Sequence, residues 1–190
     1  MSPADKRTEI LLSALEVFSS NGFHGAPIAM IADRSQVAQG TIYRYFESKE
    51  TLIFELHRFL VEKFEEAQRR DIPQGRPLRE RFFHVGRGFV RYCLGAPLDF
   101  RFLEQFHNSP YGVVYRRDLI FGNKNGGVIH ELLEEGQRER ILKVLPPSVH
   151  CALIFGPILC LVRDQILGFT QLDQQLIEHA IEACWDAIRA

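Results

Sequence analysis

Residues 31–50 constrain what this chain can fold into more than any other segment. They read as two short helices joined by a tight turn, with a third helix beginning directly afterwards. In a helix-turn-helix motif the second helix lies in the DNA major groove. The side chains of that helix that can reach phosphates or base edges are Gln39, Thr41, Tyr43, Arg44 and Tyr45. The segment therefore predicts a DNA-binding head.

The rest of the chain is also predicted to be helical. In the first helix, Ile10, Ala14 and Phe18 recur at spacings of four and share one face. Strand-like alternation is not sustained in any segment, and breaker-rich segments such as 71–77 and 122–127 separate the helices. We expect an all-α protein of about nine helices.

Two parts are expected within this fold. Residues 1–49 form the three-helix head with its helix-turn-helix, and residues 50–190 form a larger helical body. The chain has 190 residues, of which 46% are hydrophobic, so it can bury a core. Its net charge is −1, and the head carries five Lys or Arg against five Asp or Glu. DNA affinity must therefore come from where the cations lie rather than from a general positive charge.

The sequence favours neither a metal site, nor a cofactor, nor a membrane location. The four cysteines are scattered and read as small core thiols: Cys93, Cys151, Cys160 and Cys184. The longest apolar run, residues 151–162, has twelve residues, whereas a membrane span needs about 20. Charged residues interrupt any apolar run near the N-terminus. We expect a cytoplasmic protein with no metal, no cofactor and no membrane partner.

An enzyme is also disfavoured, and no catalytic residue is predicted. The sequence lacks a Gly-x-Ser-x-Gly elbow, a phosphate-binding loop and a His-Glu-x-x-His motif. His130 and Glu134 lie one helical turn apart, but Glu134 and Arg138 fit an ion pair on a solvated helix face.

The head resembles the tetracycline-repressor (TetR) family of bacterial regulators. The resemblance rests on the run Gly40 to Glu50, with Gly22-Phe23 and Ile31-Ala32 before it, and covers about 45 residues. It implies a dimeric regulator, generally a repressor, that binds a palindromic operator and releases it when a small effector binds the body. In that mechanism the effector favours one arrangement of the fourth helix, which joins the two parts and sets the separation of the heads.

Individual roles in DNA binding follow from the helical wheel. Gln39, Gly40, Tyr43 and Arg44 share one arc, and Gly40 leaves room where the helix meets the groove. Arg44 suits guanine and Gln39 suits adenine, each pair giving about 1–3 kcal/mol of discrimination. The expected phosphate contacts are Thr41, Tyr43 and Lys49, and Tyr45 suits either role. Packing within the head is the alternative for both tyrosines.

Three positions depart from the family pattern. Gln36 stands where the turn usually has glycine, Ala38 offers no oxygen to cap the recognition helix, and Ala26 replaces a threonine that precedes the second helix. We expect these changes to weaken DNA affinity more than they disturb the fold.

The body is expected to bind a small apolar or aromatic effector. Ten aromatic residues lie between positions 78 and 121, although for any single one a place in the core is the alternative. The candidate ligand-binding residues are Phe83, Arg87, Tyr92, Phe102, Phe106, His107, Tyr111 and His150.

The last two apolar helices, predicted over residues 147–168 and 173–189, are candidates for a dimer interface. The family resemblance implies that they pair with their copies across a two-fold axis, which suits a palindromic operator. The candidate interface residues are Phe155, Leu159, Val162, Ile177, Ile181, Cys184 and Trp185. An internal core is the alternative for these helices. For the whole chain, the alternative is a dimeric ligand- or protein-binding module that does not bind DNA.

Overall fold

The computed structural model describes residues 3–121 and 127–190, with side chains described for residues 5–117 and 127–190. Ten helices form over this part of the chain, and no strand is present there beyond one isolated bridge. The helices are α1 (Pro3–Asn21), α2 (Ile28–Arg34), α3 (Gln39–Tyr45), α4 (Lys49–Asp71), α5 (Leu78–Gly95), α6 (Pro97–His107), α7 (Pro110–Phe121), α8 (Gly127–Arg138), α9 (Pro147–Ile166) and α10 (Gln174–Ile188). The predicted all-α fold is confirmed. Residues 122–126 of the predicted breaker lie outside the described residues.

The first compact unit, unit 1, joins the head to parts of the body. It contains the residues up to Lys63 together with Leu98–Tyr115. Its core combines side chains of the three head helices, such as Phe18 and Ile42, with Phe102 and Phe106 of α6. Packing therefore extends unit 1 beyond residues 1–49, and the division into residues 1–49 and 50–190 remains a prediction about function.

The second compact unit, unit 2, comprises Phe64–Pro97 and Arg116–Ala190. Within it α10 packs against α9 and α5, and α5 packs against α8. The approach of α5 to α10 is close: a Cβ at Gly86 would lie 3.1 Å from Cγ2 of Ile181. Small residues thus allow these helices to bury a core of their own.

Helix α4 belongs to both units. It runs without a break from Lys49 to Asp71, and the boundary between the units falls after Lys63. Its start is capped by Ser48, whose hydroxyl accepts a hydrogen bond from the Thr51 N–H at 3.1 Å. The part of α4 up to Lys63 therefore packs within unit 1, and the part from Phe64 onward packs within unit 2.

Helix α9 is apolar and poorly covered. Among the described residues it is long and apolar enough, by length and composition, to cross a membrane, and 22% of its most apolar window is buried. Core and interface helices of soluble proteins pass the same test, so this property alone is weak evidence for a membrane location.

Candidate nucleic-acid interface

The turn between α2 and α3 is held by local hydrogen bonds. The Ser35 hydroxyl donates to the Ile31 carbonyl at 2.6 Å, and the Val37 N–H donates to the Ala32 carbonyl at 3.0 Å. Gln36 takes a left-handed conformation with φ of 52°. Glycine adopts that conformation without strain, whereas another residue pays about 1 kcal/mol. The structure thus places Gln36 at the strained position where the family pattern has glycine.

Helix α3 begins without side-chain capping. Ala38 occupies the N-cap with extended backbone and makes no side-chain cap hydrogen bond. Ala26, the third departure, is fully buried. Its methyl group therefore packs into the head and does not face solvent.

One face of α3 is open to solvent. The exposed residues are Gln39, Gly40, Tyr43 and Arg44, and half of the Tyr43 surface is accessible to solvent. Ile42, which lies outside the arc that these four residues share, is buried. A Cβ placed on Gly40 would meet no atom within 4 Å, so nothing described within the chain requires glycine there. The four predicted contact residues therefore form one accessible surface, which suits an outside partner.

The two remaining residues of α3 are half-buried. Thr41 and Tyr45 lie at the edge of the exposed face, and Tyr45 packs against the core of unit 1. The Arg44 guanidinium lies 5.4 Å from the centroid of the Tyr45 ring. Tyr45 thus supports the position of Arg44, in keeping with its alternative packing role.

Lys49 has a role inside the head. Its ammonium donates a hydrogen bond to the Phe23 carbonyl at 2.5 Å and lies 6.0 Å from the centroid of the Phe18 ring. These contacts tie the start of α4 to the turn after α1. If Lys49 also contacts a DNA phosphate, its ammonium must serve both the phosphate and the Phe23 carbonyl. The contact with Phe23 could not be predicted from the sequence.

Most cations of the head are already paired. Arg7 pairs with Glu55, Arg34 pairs with Glu16, and Lys6 pairs with Glu9 at 2.9 Å. Among the described residues, Arg44 is the head cation for which neither a carboxylate nor a carbonyl partner is found. The open face of α3 therefore carries the positive charge of Arg44, although the head as a whole has equal numbers of positive and negative residues.

Four of the predicted ligand residues belong to unit 1. Phe102 and Phe106 are fully buried, and Phe102 contacts Phe18 and Phe23 of the head core. The Tyr111 ring also contacts Phe23, with 5.5 Å between centroids. These aromatic side chains join α6 and α7 to the head. A ligand role for the four, His107 included, remains a prediction.

The same cluster surrounds a histidine that sequence reasoning missed. His57 of α4 stacks on Phe106, with 3.9 Å between ring centroids, and His107 and Tyr115 contact it edge-on. His57 is 3% exposed, and no hydrogen-bond partner for its Nε2 is found among the described residues. Burial, with a smaller contribution from His107, lowers its pKa to about 3. In the sequence His57 is a single polar residue on an apolar face, which gives no signal of this environment.

The other four ligand candidates belong to unit 2 and do not form one cluster there. Phe83 and Arg87 line a groove of about 330 Å³, together with Pro73, Arg79, Glu80 and His84. Tyr92 instead packs on Phe64, with 5.1 Å between ring centroids. His150 is buried, and burial lowers its pKa.

The groove in unit 2 is rich in paired arginines. The Arg79 guanidinium lies 4.2 Å from the centroid of the Phe83 ring and pairs with Glu182 at 2.7 Å. Arg87 donates two hydrogen bonds to Glu178, one of them at 2.7 Å. The hydrogen bond to Glu178 raises the pKa of Arg87. The groove therefore offers guanidinium N–H groups beside an aromatic ring.

The predicted interface residues require a correction. Val162, Ile181, Cys184 and Trp185 are buried within the single chain, where the Cys184 thiol donates to the Ile154 carbonyl at 3.4 Å and Trp185 packs on Phe82. They form the core of unit 2 and present no surface to a partner. Phe155, Leu159 and Ile177 are half-buried, and their interface role remains a prediction.

Comparison with known proteins places this architecture. Residues 10–56 match the family described as "Bacterial regulatory proteins, tetR family". Residues 77–189 match the family described as "Tetracyclin repressor-like, C-terminal domain". A crystal structure from Shewanella sp. PV-4 that is assigned to the same family has a TM-score of 0.85 and 27% identity, covering 97% of this chain and 98% of that chain.

Two curated relatives match the N-terminal part of the chain. The fatty acid metabolism regulator protein of Bacillus subtilis (strain 168) is 34% identical over 76 residues, which are 40% of this chain and 39% of that protein. The HTH-type transcriptional regulator UidR of Escherichia coli (strain K12) is 49% identical over 47 residues, 25% of this chain and 24% of that protein. The chain thus matches about two fifths and about a quarter of the length of these relatives.

An exposed recognition helix on a helix-turn-helix, joined by a continuous helix to a helical body, defines a DNA-binding transcriptional regulator. The second family description matches more than half of the chain. The chain belongs to the TetR family of bacterial regulatory proteins. Proteins of this family are transcription regulators and in general are not enzymes.

Proposed function

We propose that the protein acts as a dimeric repressor that binds a palindromic operator through α3 and is released by a small effector. The observation that carries this proposal is the open face of α3. Gln39, Gly40, Tyr43 and Arg44 are exposed together, and Arg44 has no carboxylate partner among the described residues. Exposed polar side chains on the second helix of a helix-turn-helix are the ones that reach phosphates and base edges.

Selection from random duplex DNA tests this proposal. The purified protein, Arg44→Ala and Tyr43→Ala are compared, and Arg91→Ala, an exposed arginine of unit 2, serves as the matched control. We expect wild type and Arg91→Ala to enrich the same palindrome and the α3 variants to lose or relax it. Absence of enrichment by wild type at low salt would favour the binding module that does not bind DNA.

A dimer brings two copies of α3 to the two half-sites of a palindrome. The proposed interface is the uncovered side of α9 and α10 in unit 2. The large apolar side chains exposed in this region are Val149, Leu167, Phe169 and Leu176. Ala152, Gly156 and Cys160 are also exposed on α9 at intervals of four. A second copy that covers this face would bury apolar surface that the single chain leaves in water.

Sedimentation of a charged variant tests the interface. Phe169, in the α9–α10 connection, is 79% exposed, so Phe169→Glu should leave the fold of the single chain intact but place a charge within the proposed contact. Val144→Glu, at a residue that is 87% exposed in the α8–α9 connection, is the control. We expect Phe169→Glu to sediment as a monomer and the control as a dimer. Identical sedimentation of the two variants would contradict this interface.

The groove beside Phe83 and Arg87 is the proposed place for the effector. Its volume of about 330 Å³ lies at the lower end of the range of small-molecule sites. Its lining combines the Phe83 ring with Arg79, Arg87 and His84, which suits an effector that joins an aromatic ring to a polar or anionic group. Loss of thermal stabilisation by a responsive compound in Arg87→Ala, with retention in Arg91→Ala, would support this site.

A further inference from the structure

Six aromatic rings of unit 1 meet beside one face of α4. Phe54 and His57 are three residues apart, and Tyr111 and Tyr115 are four apart, so each pair lies on one face of its helix. We call the six rings the aromatic cage, and they belong to Phe54 and His57 of α4, Phe106 and His107 of α6, and Tyr111 and Tyr115 of α7.

Most neighbouring rings of the cage stand across one another. The Phe54 ring lies 5.7 Å from the Tyr111 ring between centroids, with 90° between the two planes. It lies 5.8 Å from the Phe106 ring at 83°, and the His57 ring lies 4.4 Å from the Tyr115 ring at 64°. In an edge-to-face pair, the positive edge of one ring meets the negative face of the other. The cage therefore turns ring faces in several directions.

Part of the cage is open to solvent. Phe54 is 36% exposed, His107 is exposed, and Tyr111 and Tyr115 are half-buried. Phe106 and His57 are buried beneath them. Rings of three helices thus share an aromatic surface that an outside group can reach.

Glu50 adds a negative charge beside the cage. It is exposed and lies four residues before Phe54, on the same face of α4. Its pKa is lowered, chiefly by a hydrogen bond from its own backbone N–H and next by one from Ser48, so the carboxyl is ionised at neutral pH. Burial and, to a smaller extent, the charge of Glu50 raise the pKa of Tyr111, which places the carboxylate near that ring.

The charges next to Glu50 leave its carboxylate available. Lys49 makes the smallest contribution to the pKa of Glu50. Its ammonium instead donates a hydrogen bond to the Phe23 carbonyl at 2.5 Å. In the floor of the cage, burial lowers the pKa of His57 to about 3, so this imidazole is neutral and does not repel a cation.

We propose that the aromatic cage, with Glu50 at its edge, binds a small organic cation of the quaternary ammonium class. Ring faces attract a cation that lies within about 6 Å of the ring centroid, and the carboxylate adds an attraction of longer range. A quaternary ammonium ion presents methyl groups to the rings, so it can leave water at little cost in hydrogen bonds. The ligand is a free small molecule. The site lies in unit 1 and depends neither on the groove of unit 2 nor on DNA binding.

Binding of choline to the purified full chain tests this proposal without DNA. Saturation-transfer NMR follows the N-methyl signal of choline, and the matched ligand is its neutral analogue, in which a tert-butyl group replaces the trimethylammonium group. We expect choline to bind with a Kd in the millimolar range and the analogue to bind about fivefold more weakly, because the rings and Glu50 attract only the charged form. Equal affinity for the two ligands, or no binding of choline, would overturn the proposal. So would binding of phosphatidylcholine vesicles without binding of choline.

Two variants of the cage assign the site. Glu50→Gln removes an exposed charge, and Glu47→Gln, at another exposed carboxylate of the head, is its control. Phe54→Leu removes a partly exposed ring, and Phe169→Leu, at an exposed ring of unit 2, is its control. We expect each cage variant to bind choline about three- to fivefold more weakly and both controls to bind like wild type.

The midpoint of thermal unfolding, measured on all four variants, shows whether Phe54→Leu is folded. Glu50→Gln changes only an exposed group, so it tests the site even if Phe54→Leu is unstable. Choline binding by Glu50→Gln that equals binding by Glu47→Gln would contradict the role of the carboxylate. A folded Phe54→Leu that binds choline like wild type would show that the cation lies elsewhere.

Discussion

The buried histidine of α4 makes stability depend on pH in a way that one substitution can remove. His57 is stacked on Phe106, is 3% exposed and, within the part of the chain that the structure describes, has no hydrogen-bond partner for Nε2. Its pKa falls from the ordinary 6.5 to about 3 because burial penalises the charged ring. The unfolded chain therefore binds a proton at a higher pH than the folded chain does. The contribution of His57 to stability is therefore full well above pH 6.5 and is lost progressively as the pH drops towards about 3.

The size of the effect follows from the difference in proton binding. A pH of about 5 is roughly 1.5 units below the pKa of the histidine in the unfolded chain, so that histidine is protonated. The histidine in the folded chain is still neutral at this pH. At about 1.4 kcal/mol per unit, the free energy of unfolding is lower by about 2 kcal/mol at pH 5 than at pH 7.5. His57→Phe preserves the stacking on Phe106 and removes both the titration and the unpaired nitrogen. We expect it to be as stable as wild type at pH 7.5 or more so.

Urea unfolding followed by circular dichroism measures this difference, at one protein concentration because a dimer would make stability concentration-dependent. His150, whose pKa burial also lowers, acts in the same direction in both proteins, so the comparison isolates His57. His24→Gln, at an exposed histidine of the head, is the control and should follow wild type. If wild type and His57→Phe lose the same free energy between pH 7.5 and pH 5, the assigned environment of His57 is wrong.

Two further predictions concern the head. Gln36→Gly should raise the free energy of unfolding by about 1 kcal/mol, because φ at this position is 52° and glycine adopts it without strain; an unchanged or lower urea midpoint would contradict this. The salt dependence of operator binding should be shallow, with a slope of log K against log salt of about −2 to −4. Each neutralised phosphate contributes about −0.9 to this slope, and about two to four cations are available, namely Arg44 and Lys49 of each copy. A slope steeper than about −6 would show that paired cations such as Arg7 and Arg34 open their ion pairs on DNA.

The helix-turn-helix could be predicted from sequence because its determinants are local. The Ser48 cap, the buried Ile42 and the turn at Gln36 each depend on residues within a few positions of one another. The same local pattern fixes which side of α3 faces solvent, since the apolar positions of a short helix pack inward. The structure therefore agrees with the predicted exposure of Gln39, Tyr43 and Arg44.

The dimer candidates show where local patterns stop being sufficient. Ile181, Cys184 and Trp185 lie on one face of α10, and periodicity identifies that face as apolar without showing what covers it. In the structure it packs within unit 2, against α5 and α9. The uncovered apolar residues, such as Phe169 and Leu176, lie elsewhere and are more scattered in sequence.

Long-range packing also decided the environment of the aromatic residues. Phe102 lies almost eighty positions after Phe23, yet the two rings are 5.6 Å apart between centroids in the core of unit 1. Neither this contact nor the environment of His57 follows from spacing along one helix. The same holds for the hydrogen bond from the Val128 N–H to the Glu65 carboxylate, because the two residues are 63 positions apart.

The most direct test of DNA reading by α3 is the operator affinity of Gly40→Ala beside its stability. Among the described residues, the added methyl group meets no atom within 4 Å apart from its chain neighbours and the nearby backbone of α3, and alanine favours a helix over glycine by about 1 kcal/mol. The fold should therefore be at least as stable as that of wild type. If α3 lies in the major groove, the methyl group meets DNA, and we expect at least a tenfold loss of affinity for the selected palindrome. A stable variant that binds as tightly as wild type would contradict the account.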